Sequence, residues 1–259
     1  MQASLLKSLK EIVIQRSPNL AADFLPKVLE LQADASPLVK RGVLDFCDAA
    51  LPVLQNQESF SAIARTILFL MKDAGPTTVK KCIGSLYPVA KFAVVSRQGC
   101  ERGDRAQETQ NEELWEVLQH CIHTVQDLAL QDDVNTGIRL SALKFMERVV
   151  ILFTGVELHG LPEKKEQAGA SAQALDSASS KAANDIINTL VKILRSVKGS
   201  AGANGPLGIT MVRSVSSVLH ARPQFAGRLV PILIAMAKAD NMKVSMMCHI
   251  DSHGVRKID

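Results

Sequence analysis

Aromatic side chains are scarce in this chain, with one Trp, one Tyr and eight Phe among 259 residues. A core built almost without them has to come from Leu, Ile, Val and Ala, which suits packed helices better than sheets rich in aromatic and β-branched residues. Cysteines are few and scattered: Cys47, Cys82, Cys100, Cys121 and Cys248 form no C-x-x-C pair. That excludes the common disulfide and zinc frameworks and predicts reduced thiols in a cytosolic or nuclear protein. No apolar run approaches the roughly 20 residues that cross a bilayer, the longest, Leu229–Ala237, having nine and containing Pro231. Lys7, Lys10 and Glu11 interrupt the first apolar segment, so it lacks the core of a secretory signal. Excess charge is also lacking, since 30 basic residues face 26 acidic ones. A dense basic surface of the kind that tracks nucleic acid is thereby disfavoured. These absences predict a soluble, intracellular, helical chain.

What is present is helical periodicity. Leu5, Leu6, Leu9, Ile12 and Val13 share helical spacing over residues 3–15. Ser17-Pro18-Asn19 breaks the chain before a second helix carrying Phe24, Leu25, Val28 and Leu29. Ser36-Pro37 supplies an N-cap and a proline at the first helical position, followed by Val39, Val43, Phe46 and Cys47 on one face. Further helices are expected over Phe60–Met71, Val79–Val94 (with Pro88 near its middle), Leu114–Leu130, Ile138–Phe153, Ile186–Val197, Leu207–Leu219 and Phe225–Ala237. The polar stretch 97–110 and the Ala-, Ser- and Gly-rich stretch 160–180 read as mobile insertions. No alternating strand pattern occurs. The expected organisation is a helical repeat domain over 1–239 and an irregular tail over 240–259.

Three segments carry an Asp, a short turn, then an apolar residue followed directly by a basic one: Asp34 to Val39-Lys40-Arg41, Asp73 to Val79-Lys80-Lys81, and Asp133 to Ile138-Arg139. Four residues after each anchor stands another small or apolar residue, Val43, Ile83 or Ala142. The anchors lie 40 and 59 residues apart, the first spacing matching a helical-hairpin repeat of the HEAT or armadillo kind. An Asp at this place can accept from exposed helix N–H groups and suits the positive end of the helix dipole. The anchor is expected inside, and the basic residue outside or paired with an acid. The fold class read from this is all-α, an α-solenoid of antiparallel helical hairpins forming a HEAT/ARM-like superhelix.

At these residues the chain resembles the symplekin family. The strings are Leu31 to Lys40 (LQADASPLVK), Val79-Lys-Lys-Cys-Ile83 running on to Leu86-Tyr-Pro-Val-Ala-Lys91, Gly137 to Phe145 (GIRLSALKF) and Ala221-Arg-Pro-Gln-Phe225, in family order over about residues 5–238. Only the N-terminal part of the longer family members is represented, and Asn241–Asp259 shows no likeness. The resemblance implies a nuclear, non-catalytic scaffold of pre-mRNA cleavage and polyadenylation. Its implied partners are polyadenylation factors and a phosphatase acting on the RNA polymerase II C-terminal domain. By motif match the family's partner-contacting lysine falls on Lys144, with Arg139 and Ser141 beside it on the same helix.

Other chemistry finds little support. His120-Cys121-Ile122-His123 has no second ligand cluster, so structural residues are expected there. Cys248-His249-Ile-Asp251-Ser-His253 lies in a tail with nothing to fix its geometry. Gly199–Gly208 is glycine-rich, but no strand precedes it and no Gly-Lys-Ser/Thr follows, so a phosphate loop is not implied. No catalytic site, cofactor, metal or small-molecule substrate is expected. Lys40, Arg41, Lys80, Lys81, Arg139 and Lys144 recur near corresponding positions of the second helices, where stacking would align them. Such a row is either a solvated face with weak ion pairs or a ridge for an acidic partner. A nucleic-acid-binding solenoid and a HEAT adaptor of another pathway are the competing readings.

Overall fold

The computed structural model describes residues 2–73, 75–98, 105–155, 177–198 and 205–237. Among them there are ten α-helices and no strand. In order these are α1 (Gln2–Lys10), α2 (Ala21–Leu29), α3 (Pro37–Ala50), α4 (Gln57–Asp73), α5 (Pro76–Gln98), α6 (Arg105–Leu130), α7 (Thr136–Thr154), α8 (Ser177–Lys198), α9 (Pro206–Ala221) and α10 (Ala226–Ala237). A π-helical turn, Glu11–Arg16, continues α1, and short 3₁₀ turns precede α2, α3 and α10. The chain forms two compact units, Met1–Phe145 and Met146–Asp259, the boundary falling inside α7.

In the first unit the helices pack as layered hairpins. First helices lie on first helices, α2 on α4 and α4 on α6, while the second helix α3 lies on α5. Within a hairpin α4 lies along α5, the next helix in the chain. This is the packing of an α-solenoid. The interior is aliphatic, as the shortage of aromatics requires: Leu44, Ile63, Ile67, Leu70, Ile83, Leu86, Leu114, Leu118 and Ile122 are fully buried, and Phe46 with them. The few aromatics also make contacts of their own, a stacked Phe60–Phe92 pair and the Arg97 guanidinium 4.9 Å from the centre of the Trp115 ring.

The expected apolar face of the first segment divides. Leu6 and Val13 are buried, but Leu5 is 61% and Ile12 55% exposed. Helical spacing groups residues on a face; it does not say how wide a neighbour will cover that face, and α3 covers only part of it.

Helices also extend further than the apolar pattern does. α5 runs on through Pro88 to Gln98, and α6 starts at Arg105. Both ends of the polar stretch 97–110 are therefore helical, with 99–104 outside the described residues. Arg97 pairs with Glu112 at 3.0 Å, and the Asn111 side-chain amide donates to the Ser96 carbonyl at 3.3 Å, so polar contacts fasten α5 to α6 there. Similarly, α8 starts at Ser177, inside the stretch 160–180, whose residues up to 176 lie outside the described ones. The tail 240–259 lies outside them too.

In the second unit α8 packs on both α9 and α10, with Ile186, Ile187, Leu190, Leu194, Met211, Val215, Val218 and Leu229 buried. Arg222, after α9, reaches back to the end of α7. Its Nε donates to the Thr154 hydroxyl at 3.1 Å and its Nη2 to the Ile151 carbonyl at 3.1 Å. Gly155 leaves room for this: a Cβ there would fall 1.4 Å from Arg222 Nη2 and 2.9 Å from the Ile151 carbonyl oxygen.

Candidate partner-binding site

The second helices α3, α5 and α7 carry the recurring motif, and the starts of α3 and α7 are fixed by side chains of the preceding turns. Asp34 Oδ1 accepts from the Ser36 N–H at 2.7 Å, whereas the Ser36 side chain makes no capping bond to α3. At α7 the acceptor is Asn135 Oδ1, 2.9 Å from the Gly137 N–H, so Asn135 takes the part expected of Asp133. The same chemistry starts α4, where Asn56 Oδ1 accepts from the Ser59 N–H at 2.8 Å. At α5 the Gly75 carbonyl accepts from Thr78 and Val79, with Pro76 opening the helix. In each case exposed helix N–H donors find an acceptor before the first full turn.

The anchors Val39, Val79 and Ile138 are buried, as are Val43, Ile83 and Ala142 one turn on. The basic residues beside the anchors do not behave alike. Lys40 and Arg139 are each 8% exposed, while Lys80 is exposed. Arg139 Nε donates to the Ala129 carbonyl at 3.2 Å, and its Nη1 lies 3.0 Å from Asp132 Oδ1. Its guanidinium thus closes the end of α6, where helix carbonyls lack partners. The pairing acid is Asp132, one residue before the Asp of the motif.

Lys81 bridges α5 to α3 by a hydrogen-bonded ion pair with Asp45 and a longer approach to Asp48 at 3.8 Å. Burial, then repulsion from Arg41 and Lys10, pulls its pKa below the usual lysine value, against a smaller opposing effect of Cys82. Burial likewise raises the Asp48 carboxyl, against a hydrogen bond from Ser85. Lys80 points the other way along the row, its Nζ 3.5 Å from where a Cβ on Gly137 would stand. The structure thus brings Lys80 to the first turn of α7 and Lys81 to α3. On α7, Lys144 is exposed, and Ser141, three residues earlier on the same face, is half-buried with its hydroxyl donating to the Gly137 carbonyl at 2.9 Å.

The residues of the His120–His123 string do not converge on one site. Cys121 is fully buried, its Sγ 3.5 Å from the Ala64 carbonyl, while His120 and His123 are exposed. Burial pushes the Cys47, Cys82 and Cys121 thiols up to about 12, far from a nucleophile's range. Among the described residues no group of three or more His, Cys, Asp or Glu could hold a metal, and no helix is long and apolar enough to cross a membrane. Cys100 and the Cys248–His253 segment lie outside the described residues, as do 199–204 of the glycine-rich stretch. Sequence reasoning missed the Arg222 clasp on α7. Its only signal was an Arg before a Pro.

Residues 76–257 match the model of the Symplekin/PTA1 N-terminal family. The match covers α5 to α10 and continues to residue 257, so the expectation that Asn241–Asp259 has no likeness to the family does not hold. It includes Lys80, Lys81, Arg139, Ser141 and Lys144; Lys40 precedes it.

Proposed function

Because the chain belongs to the Symplekin/PTA1 N-terminal family, whose part in mRNA 3′-end processing is that of a scaffold, we propose that α5 and α7 present a docking surface for a phosphatase acting on the RNA polymerase II C-terminal domain. Polyadenylation factors are the other partners of this reading, the compartment is the nucleus, and the chain carries out no catalytic step itself. The observation that supports it most is the placing of Lys80 and Lys144 on exposed positions of adjacent second helices, within the matched residues. Both helices are held by buried anchors, so a partner meets a surface that is already ordered, and little entropy is lost on docking. Lys144 supplies the charged contact, with Ser141 beside it and Lys80 at the start of α7. Lys81 and Arg139 serve the fold as well, through Asp45 and Asp132. That pairing also weighs against a nucleic-acid solenoid, because phosphates would have to compete with carboxylates already in place.

The test is recovery of the phosphatase on immobilised protein. Lys144→Ala is expected to lower recovery, and Lys80→Glu to lower it further, with circular dichroism unchanged. Equal recovery by the folded Lys144→Ala protein removes Lys144 from the interface.

A further inference from the structure

A groove of about 350 Å³ runs between α1 and α3, lined by Ala3, Leu6, Lys7, Lys10, Leu38, Arg41, Gly42 and Asp45. Its floor exists because the two helices approach closely at Gly42, where a Cβ would lie 3.0 Å from Leu6 Cδ1. The groove combines two features seldom left exposed together. One is aliphatic surface: Leu38 is 65% exposed on one side, above the buried Leu6 of the floor. The other is charge of one sign. Lys7 and Arg41 are exposed and Lys10 half-buried, and among the described residues none of the three forms an ion pair. The single acid of the lining, Asp45, is already engaged by Lys81. After burial, Arg41 and Lys10 are the next causes that lower the Lys81 pKa, which puts both near that ammonium. The whole lining lies before residue 76, outside the stretch the family model matches.

We infer that the α1–α3 groove binds an acidic segment of a partner protein, one that sets aliphatic side chains between Leu6 and Leu38 and carboxylates against Lys7, Lys10 and Arg41. Charge complementarity fixes the sign of the occupant. The lining fixes its class: it contains no aromatic residue on which a base could stack, so a single-stranded nucleic acid would gain only phosphate contacts there. An amphipathic helix with leucines on one side and glutamates flanking them satisfies both the floor and the rim. The site is separate from the α5–α7 surface and does not depend on that reading.

The probe is a fluorescein-labelled synthetic helix of leucine and glutamate in helical alternation, titrated with the whole chain at low salt and followed by anisotropy and stopped flow. Lys7→Glu with Arg41→Glu is expected to slow association about tenfold or more, rim charges acting mainly on the on-rate. Leu38→Ser should speed dissociation, and a probe with serine in place of leucine should bind far more weakly. Lys144→Ala, a variant of the other surface, should bind the probe like the parent. The exposed positions of Lys7, Leu38 and Arg41 spare the core; if the double charge reversal fails to fold, Lys7→Gln and Arg41→Gln singly give the same ordering with smaller effects. Undiminished binding by the folded charge-reversed chain overturns the inference. So does equal binding of the serine probe, or retention of a uridine oligonucleotide or phosphatidylserine vesicles in place of the peptide.

Discussion

Arg139 and Asp132 face each other at 3.0 Å across the turn from α6 to α7, with the arginine side chain 10% exposed and the aspartate 86%. The asymmetry determines what each contributes. A well-solvated carboxylate stabilises its partner weakly, whereas a buried guanidinium that also donates to the Ala129 carbonyl leaves an unpaired acceptor when it is removed. Arg139→Ala should therefore cost about 2 kcal/mol and lower Tm by about 4–8 °C. Asp132→Ala should cost under about 1 kcal/mol. Thermal unfolding followed by circular dichroism measures both. Equal losses would mean that the ion pair, rather than the carbonyl, is what matters.

The turn caps give a second ordering. Asp34→Ala and Asn135→Ala each remove an acceptor from a helix start and should each destabilise by about 1 kcal/mol. Ser36→Ala removes a hydroxyl that caps nothing in α3 and should leave the urea midpoint within error. A larger effect at Ser36 than at Asp34 would contradict the hydrogen bonding described.

At the end of α7, Gly155 cannot gain a methyl group without displacing the Arg222 guanidinium and crowding the Ile151 carbonyl. Gly155→Ala is expected to destabilise by about 1–3 kcal/mol, the usual cost of overpacking. Because the clash is largely with the arginine, Arg222→Ala should relieve part of it. A double-mutant cycle of urea unfolding would show the coupling; strict additivity would refute it.

The three buried thiols make stability depend on alkali. Their ordinary value is 9.0 and burial raises each to about 12 in the folded chain. A folded-state value above the unfolded one means that the unfolded chain releases protons first as pH rises. Stability from these groups is complete below about pH 9 and is lost as pH climbs towards about 12. Denaturant midpoints at neutral pH and near pH 10.5 should differ, and Cys82→Ala should reduce the difference. In a chain with Cys100 and Cys248 changed to Ser, iodoacetamide at about pH 8 should label the native protein negligibly and the urea-unfolded protein fully.

The helical class and the inward anchors were legible because burial repeats with the period of the helix. Val39, Val79 and Ile138 could be placed from spacing alone, and all three are buried. Details that depend on a turn's exact path were not. Asp34 caps by reaching two residues on, yet in the third repeat the residue in the right place is Asn135, and its neighbour Asp132 takes the ion pair. A motif read as a string cannot say which of several adjacent polar side chains the backbone will aim at a helix end. Nor could it show that Lys40 and Arg139 would be largely covered while Lys80 stays open, because that depends on the neighbouring helix. Leu5 and Ile12 make the same point from the apolar side.

The stacking of α2 on α4, α4 on α6, and α3 on α5 gives every helical pair in the first unit an independent seam with its neighbour. Breaking one seam removes support chiefly from the pairs that adjoin it. Amide hydrogens should therefore exchange in a gradient, fastest in the outermost α1 and slowest in α4, which is flanked on several sides, so that this unit loosens from its margin inward.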